Sequence, residues 1–314
     1  MRSVNTVSET KFVELQKELF SLFGLGKYNE VHSLIERAQV EFPERLDKTF
    51  FWRACAYSVQ GNQENAIAAL KEGLQKGIWW NPLTLTRDQD LNNLQNIEEF
   101  KKIVNECQRI LESHKHISKP QLFTYGNDKS NTGLFSLHWR GSNVKDFAPY
   151  WFDNSLLDDF LLAFPQSSQV FGYNTYCWDN QNIAVEEITV SFRDFKEKFN
   201  TKQDIIAGAS QGGKLAIELS LNGNILGTKG FIAVIPAIQN VASLESLLVG
   251  NGNEIKGCII TGDKDPFYNK TIELVKLFEE NDLQCKLIVK EGLGHFFPAD
   301  FTDLLKEAVE FIHT

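Results

Sequence analysis

Residues 205–213 read Ile-Ile-Ala-Gly-Ala-Ser-Gln-Gly-Gly. A short apolar run passes through Gly208-Ala209-Ser210-Gln211-Gly212 straight into a helical pattern. That is a G-x-S-x-G sequence in strand–turn–helix context, the setting in which the motif carries meaning. The turn must be very tight to lift a serine Oγ clear of the backbone. Gly208 and Gly212 remove side chains that would otherwise collide there. Ser210 is thereby a candidate nucleophile. The five-residue pattern is common by chance, so the rest of the chain has to decide.

The chain has two halves with different periodicities. In residues 9–112 apolar side chains recur at helical spacing: Phe12, Leu15, Leu19 and Leu22 or Phe23, then Val31, Leu34, Ile35 and Ala38. Gly24-Leu25-Gly26 breaks the run, which predicts a helical hairpin. The layout returns over Phe50–Leu74, broken at Gly61-Asn62. Setting Gly26 over Gly61 aligns Val31 with Ala66 and Ile35 with Leu70, an offset of 35 residues. Gly26, Tyr28, Val31, Ile35, Ala38 and Pro43, then Ala54, Tyr57, Gly61, Ala66 and Leu70, resemble the tetratricopeptide repeat, with its period of about 34 residues. Val31 stands where that family has alanine. Two units are few for a free-standing array, so Trp79–Leu111 is expected to cap them through Leu91, Leu94, Ile97, Phe100, Ile103 and Val104. These stripes read as core; a protein partner on the repeats is an open expectation.

A polar stretch, 113–121, contains Pro120 and reads as a linker, which gives domains of 1–117 and 118–314. Beyond it, apolar runs alternate with amphipathic helices, the pattern of a mostly parallel sheet with crossover helices. Strands are predicted at Leu122–Tyr125, Leu134–Trp139, Phe160–Phe164, Ile205–Ala207, Phe231–Ile235, Gly257–Thr261 and Lys286–Val289. Helices are predicted near Asp146–Phe152, Ile183–Phe199, Gly212–Leu221, Tyr268–Glu280 and Phe301–Ile312. In the second of these, Ile188, Phe192, Phe195 and Phe199 share one face, expected to lie against the sheet.

The totals narrow the function classes. A formal charge of −9 argues against a nucleic-acid binder that works by phosphate neutralisation. The five cysteines are scattered, with no C-x-x-C pair, so neither a zinc site nor a redox motif is read. Reduced thiols and an N-terminus without an apolar core predict a cytoplasmic location. No stretch approaches the ~18 apolar residues of a membrane span.

A serine hydroxyl is a poor nucleophile until a base takes its proton, and that base is usually a histidine oriented by a carboxylate. Downstream of Ser210, the strand Gly257–Thr261 ends in Gly262-Asp263-Lys264-Asp265-Pro266. The next strand is followed by Glu291-Gly292-Leu293-Gly294-His295. An acid and a histidine therefore sit just past successive strands, in the order Ser, Asp, His. Other histidines fit poorly. His32 lies on a repeat helix, His114 and His116 in the linker, His313 at the chain end, and His138 within a strand before the serine.

With these pieces placed, residues from about 121 to 314 resemble the phospholipase/carboxylesterase group of α/β-hydrolases. Phe164-Pro165-Gln166-Ser167-Ser168-Gln169, Tyr176-Cys177-Trp178-Asp179, Ser210-Gln211-Gly212-Gly213 and the run from Gly230 to Pro236 carry the likeness. The resemblance implies an α/β-hydrolase fold behind the helical domain. It implies a serine esterase without cofactor or metal, acting on a small-molecule carboxylic or thio ester through an acyl-enzyme. In the G-x-x-D-P turn of related hydrolases the second acid is the triad member, which favours Asp265 over Asp263. The oxyanion donors become Gln211 N–H and, by likeness of His138-Trp139-Arg140-Gly141 to the His-Gly-x-Gly loop, Arg140 N–H. Trp139 occupies the usual glycine. Trp139, Gln166, Tyr173 and Trp178 are candidates for the substrate pocket. Two further functions stay open: a peptidase or acylaminoacyl hydrolase on the same triad, and a non-catalytic interaction module on a hydrolase scaffold.

Overall fold

The computed structural model describes residues 6–115, 117–248 and 255–314; His116 lies outside them. The chain divides into two compact units: Met1–Ser118 with Val170–Thr175, and Lys119–Gln169 with Tyr176–Thr314.

The first unit is helical. Its helices are α1 (Thr6–Gly24), α2 (Tyr28–Glu41), α3 (Leu46–Val59), α4 (Gln63–Gln75), α5 (Pro82–Arg87) and α6 (Glu98–His114). Gly26 and Gly61 close the α1–α2 and α3–α4 turns in left-handed conformation, at φ 67° and 78°. A side chain would be strained at either position. The apolar stripes meet inside: Leu19, Val31, Ile35 and Ala38 are fully buried in one cluster, and Phe50, Leu70, Leu91 and Phe100 in another. Val170–Thr175 belongs to this unit. Asn81 Nδ2 donates to Phe171 O at 2.7 Å, and Tyr173 N–H to Trp79 O at 3.2 Å.

The second unit is built on seven strands: β1 (Gln121–Gly126), β2 (Thr132–Leu137), β3 (Leu161–Gln166), β6 (Gln203–Ala209), β7 (Gly230–Val234), β8 (Lys256–Gly262) and β9 (Cys285–Lys290). The pair β4 (Val170–Gly172) and β5 (Thr175–Tyr176) forms a separate ribbon. The sheet order is β1-β3-β2-β6-β7-β8-β9; β1 runs antiparallel to β3 and the other pairs are parallel. Parallel strands need crossovers, and helices supply them: α7 (Val144–Phe147), α8 (Asn154–Asp159), α9 (Gln181–Lys198), α10 (Gln211–Leu221), α11 (Ala242–Leu248) and α12 (Tyr268–Glu280); α13 (Phe301–His313) follows the last strand and packs on the sheet.

Side chains alternate along each strand, so one strand feeds two cores. Phe135, Leu137 and Ile206 pack with Ile188, Leu215, Leu244 and Leu274 from α9 to α12. Leu134, Ile205 and Ala207 pack with Val144, Leu156 and Leu305 from α7, α8 and α13. The phenylalanine face of α9 meets the sheet as the spacing predicts, with the Phe192 ring 5.2 Å from that of Phe135. Asn180 caps that helix, its side chain accepting from the N–H groups of Asn182 and Ile183. The strand predicted to run through Trp139 ends at Leu137, so His138 and Trp139 begin the loop beyond it. No helix among the described residues is long and apolar enough to cross a membrane.

Candidate active site

Four loops leave the carboxyl ends of parallel strands and carry the site: those after β2, β6, β8 and β9. This edge is where open α/β sheets gather functional groups, because crossovers leave a crevice there.

The turn after β6 is held by close approach. A Cβ on Gly208 would sit 2.5 Å from the carbonyl carbon of Gly212. A Cβ on Gly212 would press into Leu137 O and reach 2.7 Å from His138 O. Only glycine lets β6, the turn and the end of β2 come this near. Ser210 itself stands at φ 53° and ψ −114°, a strained conformation for a residue with a side chain. Neighbouring backbone imposes it: Ser210 N–H donates to Val234 O at 2.9 Å, and Ala237 N–H donates to Ser210 O at 3.0 Å.

Ser210 Oγ lies 2.8 Å from His295 Nε2. On the other side of the ring, His295 Nδ1 lies 2.8 Å from Asp265 Oδ2. The second oxygen of Asp265 accepts from Phe267 N–H at 2.7 Å, which fixes the carboxylate's aim. The Asp265 side chain is 1% exposed and that of His295 30% exposed. The acid is thus sealed from water, while the imidazole keeps an open edge. The Phe267 ring stands edge-on to the imidazole at 5.3 Å. Asp263 takes a different place: its Oδ1 accepts from Gly292 N–H at 2.7 Å, tying the β8 and β9 loops together.

Gln211 opens α10, so its N–H precedes the helix's own hydrogen-bond ladder. Arg140 lies in the loop after β2. The peptide between Trp139 and Arg140 is oriented by His138, whose Nδ1 lies 2.8 Å from Trp139 O. Ser167 N–H approaches His138 Nε2 at 3.4 Å and can only donate, so Nε2 accepts and Nδ1 carries the proton. Burial pushes the pKa of His138 down to about 4, against the raising effect of the Trp139 carbonyl, so the ring is neutral near pH 7. The Trp178 ring lies against it, tilted by 31° with centroids 4.8 Å apart, and donates Nε1–H to His138 O at 3.0 Å.

The remaining sequence candidates fall in different places. Gln166 ends β3, buried, its Oε1 accepting from Val144 N–H at 3.2 Å. Trp178 is buried beneath the β2 loop, and Tyr173 lies in the segment that belongs to the helical unit. Trp139 is half-buried among Phe147, Tyr150, Phe296 and Phe297, with ring centroids 5.0–6.2 Å away. Its φ is not positive, so standing in place of glycine costs it no backbone strain. Two residues that hold the β2 loop have no role in the sequence reading, His138 and Asp179. Asp179 closes the Tyr176–Asp179 stretch, which was the one signal that could have singled it out.

Residues 11–115 match the profile of the A/B hydrolase-like, N-terminal domain family; this is the segment read from sequence as tetratricopeptide-like. No curated protein matches the chain. Among solved structures, a protein from Bacillus cereus ATCC 10987 titled uncharacterized is 27% identical, with TM-score 0.54, over 96% of this chain and 99% of that one. The esterase PE8 is 20% identical with TM-score 0.48 over 62% of this chain and 98% of that one. A phospholipase/carboxylesterase from Dyadobacter fermentans DSM 18053 is 20% identical with TM-score 0.44, over 62% and 97%. Residues 11–115 thus match that N-terminal domain family, and the helical region followed by a mostly parallel sheet flanked by helices is the α/β-hydrolase fold.

Proposed function

We propose that the protein is a serine hydrolase that cleaves carboxylic or thio esters of small to medium acyl groups through an acyl-enzyme. The observation that carries this reading is the unbroken relay from Ser210 Oγ through both ring nitrogens of His295 to Asp265, 2.8 Å at each contact. Ser210 Oγ attacks the ester carbonyl as His295 Nε2 takes its proton. Asp265 holds the imidazole in register and stabilises the imidazolium that forms. The carbonyl oxygen gains negative charge and takes hydrogen bonds from Gln211 N–H and Arg140 N–H. His295 then gives its proton to the leaving alcohol or thiol, and the acyl group stays on Ser210. Water enters, His295 takes a proton from it, the hydroxide attacks the acyl carbon, and the carboxylic acid leaves as Oγ recovers its proton.

Half-buried rings of Trp139, Tyr150 and Phe296 stand beside Arg140 and His295 and support an apolar acyl or alcohol group. The test is turnover of p-nitrophenyl acyl esters of graded chain length, with Ser210→Ala as control. Turnover by the native chain is expected to fall by at least ~10³-fold in the variant. A native chain that neither turns over these esters nor labels at Ser210 with a fluorophosphonate would sink the proposal.

A further inference from the structure

The two residues proposed to supply the oxyanion donors, Arg140 and Gln211, are far apart in sequence, yet their side chains converge on one carboxylate. Arg140 Nε donates to Asp179 Oδ1 at 2.8 Å and Arg140 Nη2 to Asp179 Oδ2 at 2.6 Å, a two-point pairing. Gln211 Nε2 donates to the same Asp179 Oδ1 at 2.8 Å. The other end of the Gln211 amide accepts from Trp178 N–H at 3.0 Å. A backbone N–H can only donate and an ionised carboxylate only accept, so the amide has one satisfactory orientation.

The backbone repeats the arrangement. Tyr176 N–H donates to Ser142 O at 2.7 Å, and Gly141 N–H donates to Tyr176 O at 2.9 Å. The stretch ending at Asp179 is thus zipped to the β2 loop along its main chain, then pinned to the head of α10 by side chains. Burial works against the charge on Asp179. The hydrogen bonds from Arg140 and Gln211, with the guanidinium charge, overcome it and hold the carboxyl below its ordinary pKa.

We propose that Asp179 is a positioning residue for the oxyanion hole, acting through Arg140 and Gln211 without touching the substrate. The two donors need a fixed separation and aim, because a donor stabilises a developing oxyanion only along the line where the charge appears. A trans peptide points its C=O and N–H in opposite directions. His138 holds the Trp139 carbonyl and so sets the plane of the Arg140 N–H, while Asp179 holds the Arg140 side chain and ties it to Gln211. Removing the carboxylate leaves both N–H groups in the chain and takes away what sets the distance between them.

This inference rests on the ester-hydrolase reading, and the experiment separates the two. The full chain is assayed with p-nitrophenyl acetate as native protein, Asp179→Asn, Arg140→Met and the double variant. Inhibition by an alkyl trifluoromethyl ketone, which forms a tetrahedral adduct with serine, is measured alongside. Asp179→Asn is expected to lower kcat by about tenfold with KM within about twofold, a fraction of the loss seen when an oxyanion donor is deleted outright. The ketone should weaken in proportion to kcat/KM, a response that altered packing alone would not give. Arg140→Met keeps its backbone N–H and should lose about as much, with the double variant no worse than about twofold below either, because both break one linkage. A kcat for Asp179→Asn within about twofold of native, a loss confined to KM, or additive losses in the double variant would overturn the proposal. If Asp179→Asn does not fold, Arg140→Met decides by the same kcat and ketone criteria. An inactive native chain overturns the ester-hydrolase reading, and this inference falls with it.

Discussion

The turn that carries Ser210 and the loop that carries Arg140 leave neighbouring parallel strands, β6 and β2, and are shaped by opposite means. The Ser210 turn depends on what is missing. Gly208 and Gly212 present no Cβ, so backbones approach to distances that any other residue would forbid. The Arg140 loop depends on what is present: an aspartate gripping the guanidinium, a neutral imidazole holding a carbonyl, and a tryptophan wedged among four aromatic rings. A turn set by steric absence is rigid and local. A loop set by side chains can be rebuilt from several residues, and its stability varies with their protonation and packing.

The sharpest way to break this contrast is Gly212→Ala. The added methyl would strike Leu137 O and His138 O, backbone at and just past the end of β2 that cannot swing aside as a side chain can. Either α10 shifts away from β2, which misplaces Ser210 and Gln211 together, or the protein unfolds. We expect kcat/KM for a p-nitrophenyl ester to fall by at least ~10²-fold, with about 2–4 kcal/mol of stability lost in urea denaturation. Near-native activity would mean that the turn has slack and that the close approach is incidental.

The same contrast explains what the sequence made legible. Gly208, Ser210 and Gly212 lie within five residues, so their constraint is written in one place. Asp265 and His295 are legible because each follows an apolar run that becomes a strand, and strand order fixes which loops meet. The alternating cores are legible for the same reason, since period-two and period-3.6 patterns name buried faces without knowledge of partners. Asp179 is not legible. Its meaning depends on Arg140, 39 residues earlier, and Gln211, 32 residues later. Nothing in the local pattern of Trp178-Asp179 distinguishes a strut from a surface acid. By pattern alone His138 falls in a strand, because the apolar run continues through Trp139. The strand in fact ends at Leu137, and the ring turns back to hold the Trp139 carbonyl. The place of Val170–Thr175 in the helical unit is opaque as well, because a six-residue stretch of ordinary composition carries no mark of a distant core.

A smaller effect separates the two regions by pH. In the unfolded chain, His138 takes up a proton near its ordinary value of 6.5, whereas the buried ring resists protonation until about 4. Between those values the unfolded state binds more protons, so stability falls as pH is lowered. The contribution is fully present above about pH 6.5 and is lost by about pH 4, an amount on the order of 3 kcal/mol. Urea midpoints at pH 7 and pH 4.5, compared with those of His138→Asn, measure it. The native chain should show the steeper decline, and parallel declines would mean that the imidazole is not held neutral.

The smallest effect tests the residue that departs most visibly from the esterase pattern. Because Trp139 has an ordinary φ, Trp139→Ala should leave the path of the β2 loop intact and remove only ring contacts with Phe147, Tyr150, Phe296 and Phe297. The ring is half-buried, so the stability loss should be about 1–2 kcal/mol rather than the 3–5 kcal/mol typical of a fully buried tryptophan. Turnover of p-nitrophenyl acetate should drop by no more than about threefold, while KM for a longer or aromatic acyl ester rises by about tenfold as its apolar wall disappears. A collapse of kcat on the acetate would give Trp139 a different standing. The ring would then be part of what orients the Arg140 N–H, and the loop would rest on packing as much as on the Asp179 and His138 hydrogen bonds.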